Sequence, residues 1–586
     1  MLSLALFAPL VQADSSDSLH YFKNYFVTGD YAVAGVGLRG TGVNGFANGT
    51  INLSGVPTGA DIVAAFLYWQ TVETSPATAP SAINGFFDNN AIVGKLLGDP
   101  MNPACWSSGG TTGPKSASGR VYRADVLRYL PIDHTNSIRL ANGSHTVKLA
   151  DSGGNGNGNV PLTNGASLVV IYRILTPGAN VPLRSVVIYD GAYTLSRDSD
   201  AMSVNIGGFY QASDNNGAKM TQIVANGQPN FDSETVRVNG ETIASNHFRG
   251  KAGIPGARWD NPTFNIPLER DDSSFSTQVT ADDNVCLTWG AIVTSTNVVD
   301  TDGDGLLDVW ETNGLHLNPG DATKKPPQPA TFGDCDFARR VGESCVNLPA
   351  MGADPGTNSR PHKDIFVEID WLYGSDHVHL PKLGALSAIA ATFAQQSPPI
   401  YLHFDVGNNY QGTPSAPLPP GYNAPLSYIV PAQYARGGDT VNEATLVCVP
   451  SLKVPCAFPG YSVLGWKIGV RAIQDGYPAL GIPAHFDHDR KDLFHYVVFA
   501  HALSLPSSVP GVPASTSGAA DRPGGDLMVT LGLWPSDVAG DNQTGSVQVQ
   551  AGTLMHELGH NLGLSHAGLA RTPNCCLLYT SDAADE

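Results

Sequence analysis

Charge is scarce in this chain. Only 15% of its 586 residues are Asp, Glu, Lys or Arg, and the balance is acidic, with a formal net charge of −19. No block of Lys or Arg occurs. A phosphate-binding surface needs clustered cations, so nucleic acid is not an expected partner. No apolar run approaches the roughly 20 residues that cross a bilayer as a helix, so no transmembrane segment is expected. No two cysteines stand in the C-x-x-C spacing of a thiolate metal site. No convincing internal repeat is found either, which argues against a solenoid or propeller.

Glycine (64) and proline (42) are abundant, and hydrophobic residues make up 42%. That mixture favours β-rich, loop-rich domains over long helices. The length is too great for one core, so two or three domains are expected. The start, MLSLALFAPLVQADSS, carries an apolar run from Leu2 to Leu10 and then Val11-Gln12-Ala13. Residues 1–13 therefore read as the remnant of a secretory signal peptide, with the basic leading segment expected upstream; the alternative is a frayed first strand. Cysteine usage agrees with a secreted, disulfide-bonded protein. Cys335 lies near Cys345 and Cys448 near Cys456, which leaves Cys105 and Cys286 as a long-range pair. Six cysteines allow about 15 connectivities, and these pairings rest on proximity alone.

Residues 20–298 read as all-β. β-Branched or alternating runs recur at Asp61–Trp69, Ala166–Ile174, Arg184–Tyr193 and Cys286–Val298, separated by loop sequences such as DSGGNGNGN (Asp151–Asn159). A β-sandwich is expected, with a jelly-roll-like topology. No cluster of catalytic residue types occurs in this half, which reads as a surface-binding or stabilising module. The block Gly207–Glu234 resembles a β-domain of large secreted bacterial proteins.

Residues 299–360 read as a linker region carrying DTDGDGLLDVWE (Asp300–Glu311). In a 12-residue EF-hand loop, oxygen ligands fall at positions 1, 3, 5, 9 and 12, with Gly at 6. Those positions hold Asp300, Asp302, Asp304, Asp308 and Glu311, with Gly305 at the turn and Leu307 as apolar anchor. So many carboxylates in one loop repel each other without a cation, and Ca2+ is the expected one; a solvated acidic turn is the alternative. The stretch resembles the DxDxDG calcium loops of secreted bacterial proteins. A role in locking an interdomain junction would follow.

Residues 361–575 switch to an α/β pattern. Lys363–Trp371, Ile400–Gly407, Phe494–Leu503 and Asp526–Trp534 read as strands, and Leu380–Gln396 and Gly545–Gly563 as helices. The last helix carries HELGHNLGLSH (His556–His566). Residues four apart share a helix face, so His556 and His560 can present two imidazoles to one metal. Glu557 would point at the activated water as general base. Gly563 would end the helix in a left-handed cap, and His566 would return as third zinc ligand, leaving a fourth position open. The span His485–His501 holds four further histidines whose irregular spacing reads as structural or surface rather than as a second metal site.

The eleven residues His556–His566 match H-E-x-x-H-x-x-G-x-x-H, the signature of metzincin zinc endopeptidases. The resemblance implies His556, His560 and His566 as Zn2+ ligands, and Glu557 as base and proton shuttle. It further implies an edge strand before the active helix, placed at Asp526–Trp534, that pairs with extended substrate. The family's methionine turn downstream of the third His has no counterpart here. Instead residues 576–586, CLLYTSDAADE, resemble a translated sequencing-library adapter, so the authentic chain is expected to continue beyond Cys575.

The expected fold class is thus multidomain: an N-terminal all-β sandwich and a C-terminal α/β metzincin-like catalytic domain, truncated. The expected function is that of a secreted zinc-dependent endopeptidase acting on protein or peptide substrates. Truncation would leave this chain with weak zinc binding and little activity, because the shell supporting the ligands is incomplete. One alternative is a cell-surface or adhesion protein whose β-domain does the work beside a vestigial protease-like domain. A zinc hydrolase acting on a non-peptide bond is another. Substrate, cleavage preference and oligomeric state are not legible.

Overall fold

In the computed structural model, residues 18–74, 82–105, 117–133, 138–153, 160–174, 181–195, 201–212, 217–228, 233–250, 258–282, 285–317, 328–329, 344–356, 362–411, 418–422, 427–443, 466–476, 481–487, 490, 493–502, 516–522, 524–537 and 543–564 are described. The chain divides into two compact units between Val298 and Val299.

Four larger antiparallel sheets stack in the first unit, with a core between each successive pair, beside a two-stranded sheet of Ile132–Asp133 and Ile138–Arg139. One inner sheet contains Leu162–Arg173 and Asp61–Thr74, and the other contains Arg184–Leu195 and Leu287–Asn297. Successive side chains of a strand face opposite ways. In these inner strands both directions are apolar. Val169 and Ile171 enter the core shared by the two inner sheets, while Leu168 and Val170 enter the core beneath an outer sheet. Val186 and Ile188 divide from Val187 and Tyr189 in the same way. Outer strands such as Gly143–Ala150 and Ala201–Gly207 instead alternate buried with exposed positions. Where one sandwich was expected over 20–298, the unit is therefore two sandwiches' worth of sheet, because its inner strands are covered on both faces. Cys105 and Cys286 are joined across 181 residues of sequence. The side chains of the other six cysteines lie outside the described residues.

The second unit is built on a sheet ordered Ile400–Asp405, Lys363–Tyr373, Phe494–Ala500, Asp526–Thr530, Gly518–Ala520. All neighbours are parallel except the last pair. Thr440–Asn442 runs parallel beside the carboxyl end of Lys363–Tyr373. Val367, Ile369, Val497, Phe499, Leu527 and Val529 share a core with Leu386, Ile389 and Ala390 of helix Leu383–Ala394 and with Leu554 and Leu558 of helix Val547–Asn561. The opposite face carries the buried acids Glu368 and Asp370 among apolar neighbours. There Arg490 donates to Asp405 at 2.8 Å and pairs with Glu368, and Tyr496 donates to Asp370 at 2.8 Å.

The strand bordering the sheet before helix Val547–Asn561 differs from expectation. Asp526–Thr530 is paired on both sides, and the three-residue strand Gly518–Ala520 forms the edge. So short and glycine-bearing a segment carries no periodic signal, whereas Asp526–Trp534 is apolar because it is internal.

Candidate functional site

Helix Val547–Asn561 begins where the Ser546 hydroxyl accepts from the Val549 amide at 3.2 Å. It ends in a double reversal: Gly563 N–H donates to His560 O and Leu564 N–H to Gly559 O, with Gly563 at φ +91°. That is the pairing of a Schellman cap, which only a residue tolerant of positive φ closes without strain.

One turn before that cap, His556 and His560 converge, their Nε2 atoms 3.1 Å apart. Two imidazole nitrogens on one tetrahedral zinc ion stand roughly 3.3 Å apart. His560 Nδ1 lies 2.8 Å from the Leu564 carbonyl, which the reversal brings back over the ring. A donated Nδ1–H there leaves Nε2 as the lone-pair atom, the orientation a metal ligand requires. Glu557 is buried, 4% exposed, and burial pushes its carboxyl up to about 7. Its neighbour is the edge strand: a Cβ on Gly518 would fall 2.7 Å from Glu557 Cγ and 2.8 Å from Oε1. The glycine makes room for the acid. His566 lies outside the described residues, as do the segment beyond it and residues 576–586.

The acidic loop belongs to the second unit and docks on strand Lys363–Tyr373. Gly305 takes φ +97° at the expected turn position, and Leu307 is buried. Asp300 accepts from the amides of Gly303, Asp304 and Gly305, which winds the loop around its carboxylate. Ligand oxygens of Asp302, Asp304, Glu311 and Asp364 all lie within 4.8 Å of one another. Asp364 comes from the strand and is invisible to a twelve-residue motif. It is held by His403 Nε2 at 2.5 Å, and its N–H donates to Asp304 Oδ2 at 2.7 Å. Asp308, expected as a ligand, is turned away: its two oxygens accept from the Thr301 amide and hydroxyl, at 2.7 and 2.6 Å.

Electrostatics mark this group as built for a cation. Glu311 is 1% exposed, and neither of its carboxylate oxygens has a hydrogen-bond partner, nor does Asp302 Oδ2. Burial first, then the neighbouring carboxylates, push Asp302 up to about 9 and Glu311 up to about 11. Buried oxygens left unpaired in this way are costly, and a bound cation answers both the missing partners and the repulsion. The cluster therefore fits a metal ion.

No protein-family model and no curated protein matches the sequence. Among solved structures, the chain is similar to the Sputnik virophage structure at 12% identity and TM-score 0.12, over 51% of this chain and 91% of that one. The major capsid protein P2 of bacteriophage PM2 overlaps at 9% identity and TM-score 0.15, over 46% and 98%. The ANX2 ectodomain of Arabidopsis thaliana overlaps at 8% identity and TM-score 0.15, over 49% and 95%. Overlaps this loose carry no argument about chemistry.

Proposed function

We propose that the second unit is a zinc-dependent endopeptidase of metzincin type. The observation that carries this reading is the joint placement of His556, His560 and Glu557. Two ring nitrogens converge at ligand spacing, and the buried acid next to the first of them stands against the edge strand. His566 would complete the ligand set. Zinc, when bound, would lower the pKa of water and polarise a carbonyl.

The chain's own residues supply the rest. Gly518–Ala520, unpaired on its outer side among the described residues, offers backbone groups on which an extended peptide adds as a further strand. That lays the scissile bond beside Glu557. Glu557 accepts a proton from the attacking water and returns it to the departing amine, and burial keeps it poised for both transfers. A buried carboxylate at the sheet edge serves an extended substrate better than a bulky one.

The acidic cluster is read as a calcium site formed by Asp300, Asp302, Asp304, Glu311 and Asp364, since all-oxygen ligation suits a hard cation. Export to an oxidising compartment is supported by the bond between Cys105 and Cys286.

The deciding experiment is Glu557→Gln, which keeps the shape and removes the base. Cleavage of a quenched peptide library should fall by about 10²–10⁴-fold, with zinc content unchanged. Equal cleavage by both proteins would defeat the endopeptidase reading. Absence of cleavage in both, with zinc shown to be bound, would move the adhesion alternative forward.

A further inference from the structure

Three strands of the second unit's sheet end side by side. Lys363–Tyr373 runs parallel to both Phe494–Ala500 and Thr440–Asn442, with Trp371 opposite Phe499 on one side and Thr440 on the other. Glu443 and His501 are the residues immediately after their strands. The central strand instead turns back at once, Gly374 N–H donating to His377 O and His379 N–H to Leu372 O. On such an extended return, residues two apart share a face, so His377 and His379 are presented together.

The four side chains meet. His379 Nε2 lies 2.9 Å from Glu443 Oε1 and His377 Nε2 lies 3.3 Å from it. His501 Nδ1 lies 3.0 Å from His377 Nε2 and 3.8 Å from Glu443 Oε1. All four ligand atoms fall within 4.8 Å of one another. Tetrahedral ligands at zinc–nitrogen and zinc–oxygen distances of about 2.0–2.2 Å are separated by roughly 3.3–3.5 Å, the middle of this range.

The surroundings are shaped to the same end. His377 Nδ1 sits 2.8 Å from Asp376 Oδ1, and Asp376 accepts from Gln543 at 3.0 Å; this fixes the ring so that Nε2 faces inward. Glycines clear space for the rings: a Cβ on Gly374 would fall 2.7 Å from His377 Cε1, and one on Gly532 only 2.4 Å from His501 Cγ. One carboxylate among three imidazoles is a nitrogen-rich donor set for a borderline dication.

We propose that His377, His379, Glu443 and His501 form a second zinc site, closed by four protein ligands and tying together the ends of three strands. It shares no residue with the His556–His560 pair and stands whether or not that pair is catalytic. Four protein ligands leave no open position, so its role is structural.

The test uses the full chain carrying His556→Ala and His560→Ala, purified without chelator and dialysed against excess calcium to fill the acidic cluster. Elemental analysis should find about one zinc ion per chain. Adding Glu443→Gln and His501→Gln should abolish it and lower the melting temperature. Should the fourfold variant fail to fold, cobalt(II) replacement in the twofold variant decides instead: the visible absorption of tetrahedral cobalt supports the site. A folded twofold variant that binds neither zinc nor cobalt overturns it, leaving only a hydrogen-bonded histidine cluster. Zinc retained undiminished by a folded fourfold variant overturns the assignment equally.

Discussion

Glu311 shows how one side chain can oppose the fold in one condition and hold it together in another. Its carboxylate is buried without a hydrogen-bond partner beside Asp302, Asp304 and Asp364. Glu311→Gln therefore has opposite consequences with and without calcium. In calcium the variant loses ligand charge, and affinity by titration calorimetry should fall roughly tenfold or more. In chelator the wild type must hold this buried carboxyl protonated at neutral pH, a cost the amide does not carry, and the variant should be more stable than the wild type by about 1–3 kcal/mol. If chelated wild type and variant melt together, the cluster is not under electrostatic strain. The loop itself was legible because its ligands lie at fixed short spacing. Asp364 was not, since only the docking of a distant strand brings it in. Asp308 shows the converse: a residue at a motif position can be engaged by a nearer donor, here Thr301, and it is not among the four carboxylates that converge. The pair His377 and His379 stands plainly in the sequence, but nothing local announces that Glu443 and His501 arrive beside it.

Element by element, what could be read was the period of the pattern. Helix Val547–Asn561 was legible from its repeat and its glycine stop, and inner strands from continuous apolar runs. That such runs meant sheets covered on both faces, hence four layers rather than two, needed the tertiary packing. The short edge strand Gly518–Ala520 gave no signal, yet its position against Glu557 makes it sensitive. Gly518→Ala drives a methyl toward Glu557, and a displaced base should lower kcat/KM by about 10–100-fold with zinc content unchanged. Unchanged kcat/KM would detach the strand from the site. The end of the active helix also carries a pH response. His495 is buried with Nδ1 3.2 Å from Asn561 Oδ1, and burial pushes its pKa down to about 4. The unfolded chain takes up that proton near pH 6.5 and the folded chain only near 4. Stability should therefore fall as pH drops across that interval, by up to about 3 kcal/mol. His495→Gln should flatten this part of the acid limb in denaturant titrations, and an unaltered limb would assign the loss to other groups.

At the scale of the molecule, the two units have separate cores and separate fastenings. Cys105 and Cys286 both lie in the first unit, while every residue of the acidic cluster lies in the second. A disulfide closing a long loop contributes typically 2–4 kcal/mol. A calcium ion at 1,000 times its Kd contributes about 4 kcal/mol to whichever structure binds it. These terms act on different parts of the chain, so calorimetry should resolve two transitions with independent responses. Chelation should lower one transition, and Cys105→Ser with Cys286→Ser should lower the other. Combining the two should shift each transition by its own single effect and no more, because the perturbed sites share no partners. Were each perturbation to move both transitions together, the units would unfold as one cooperative body. A chain whose two units are fastened by different chemistries can lose one without the other. Low calcium would then silence the proposed peptidase while leaving the β-unit intact.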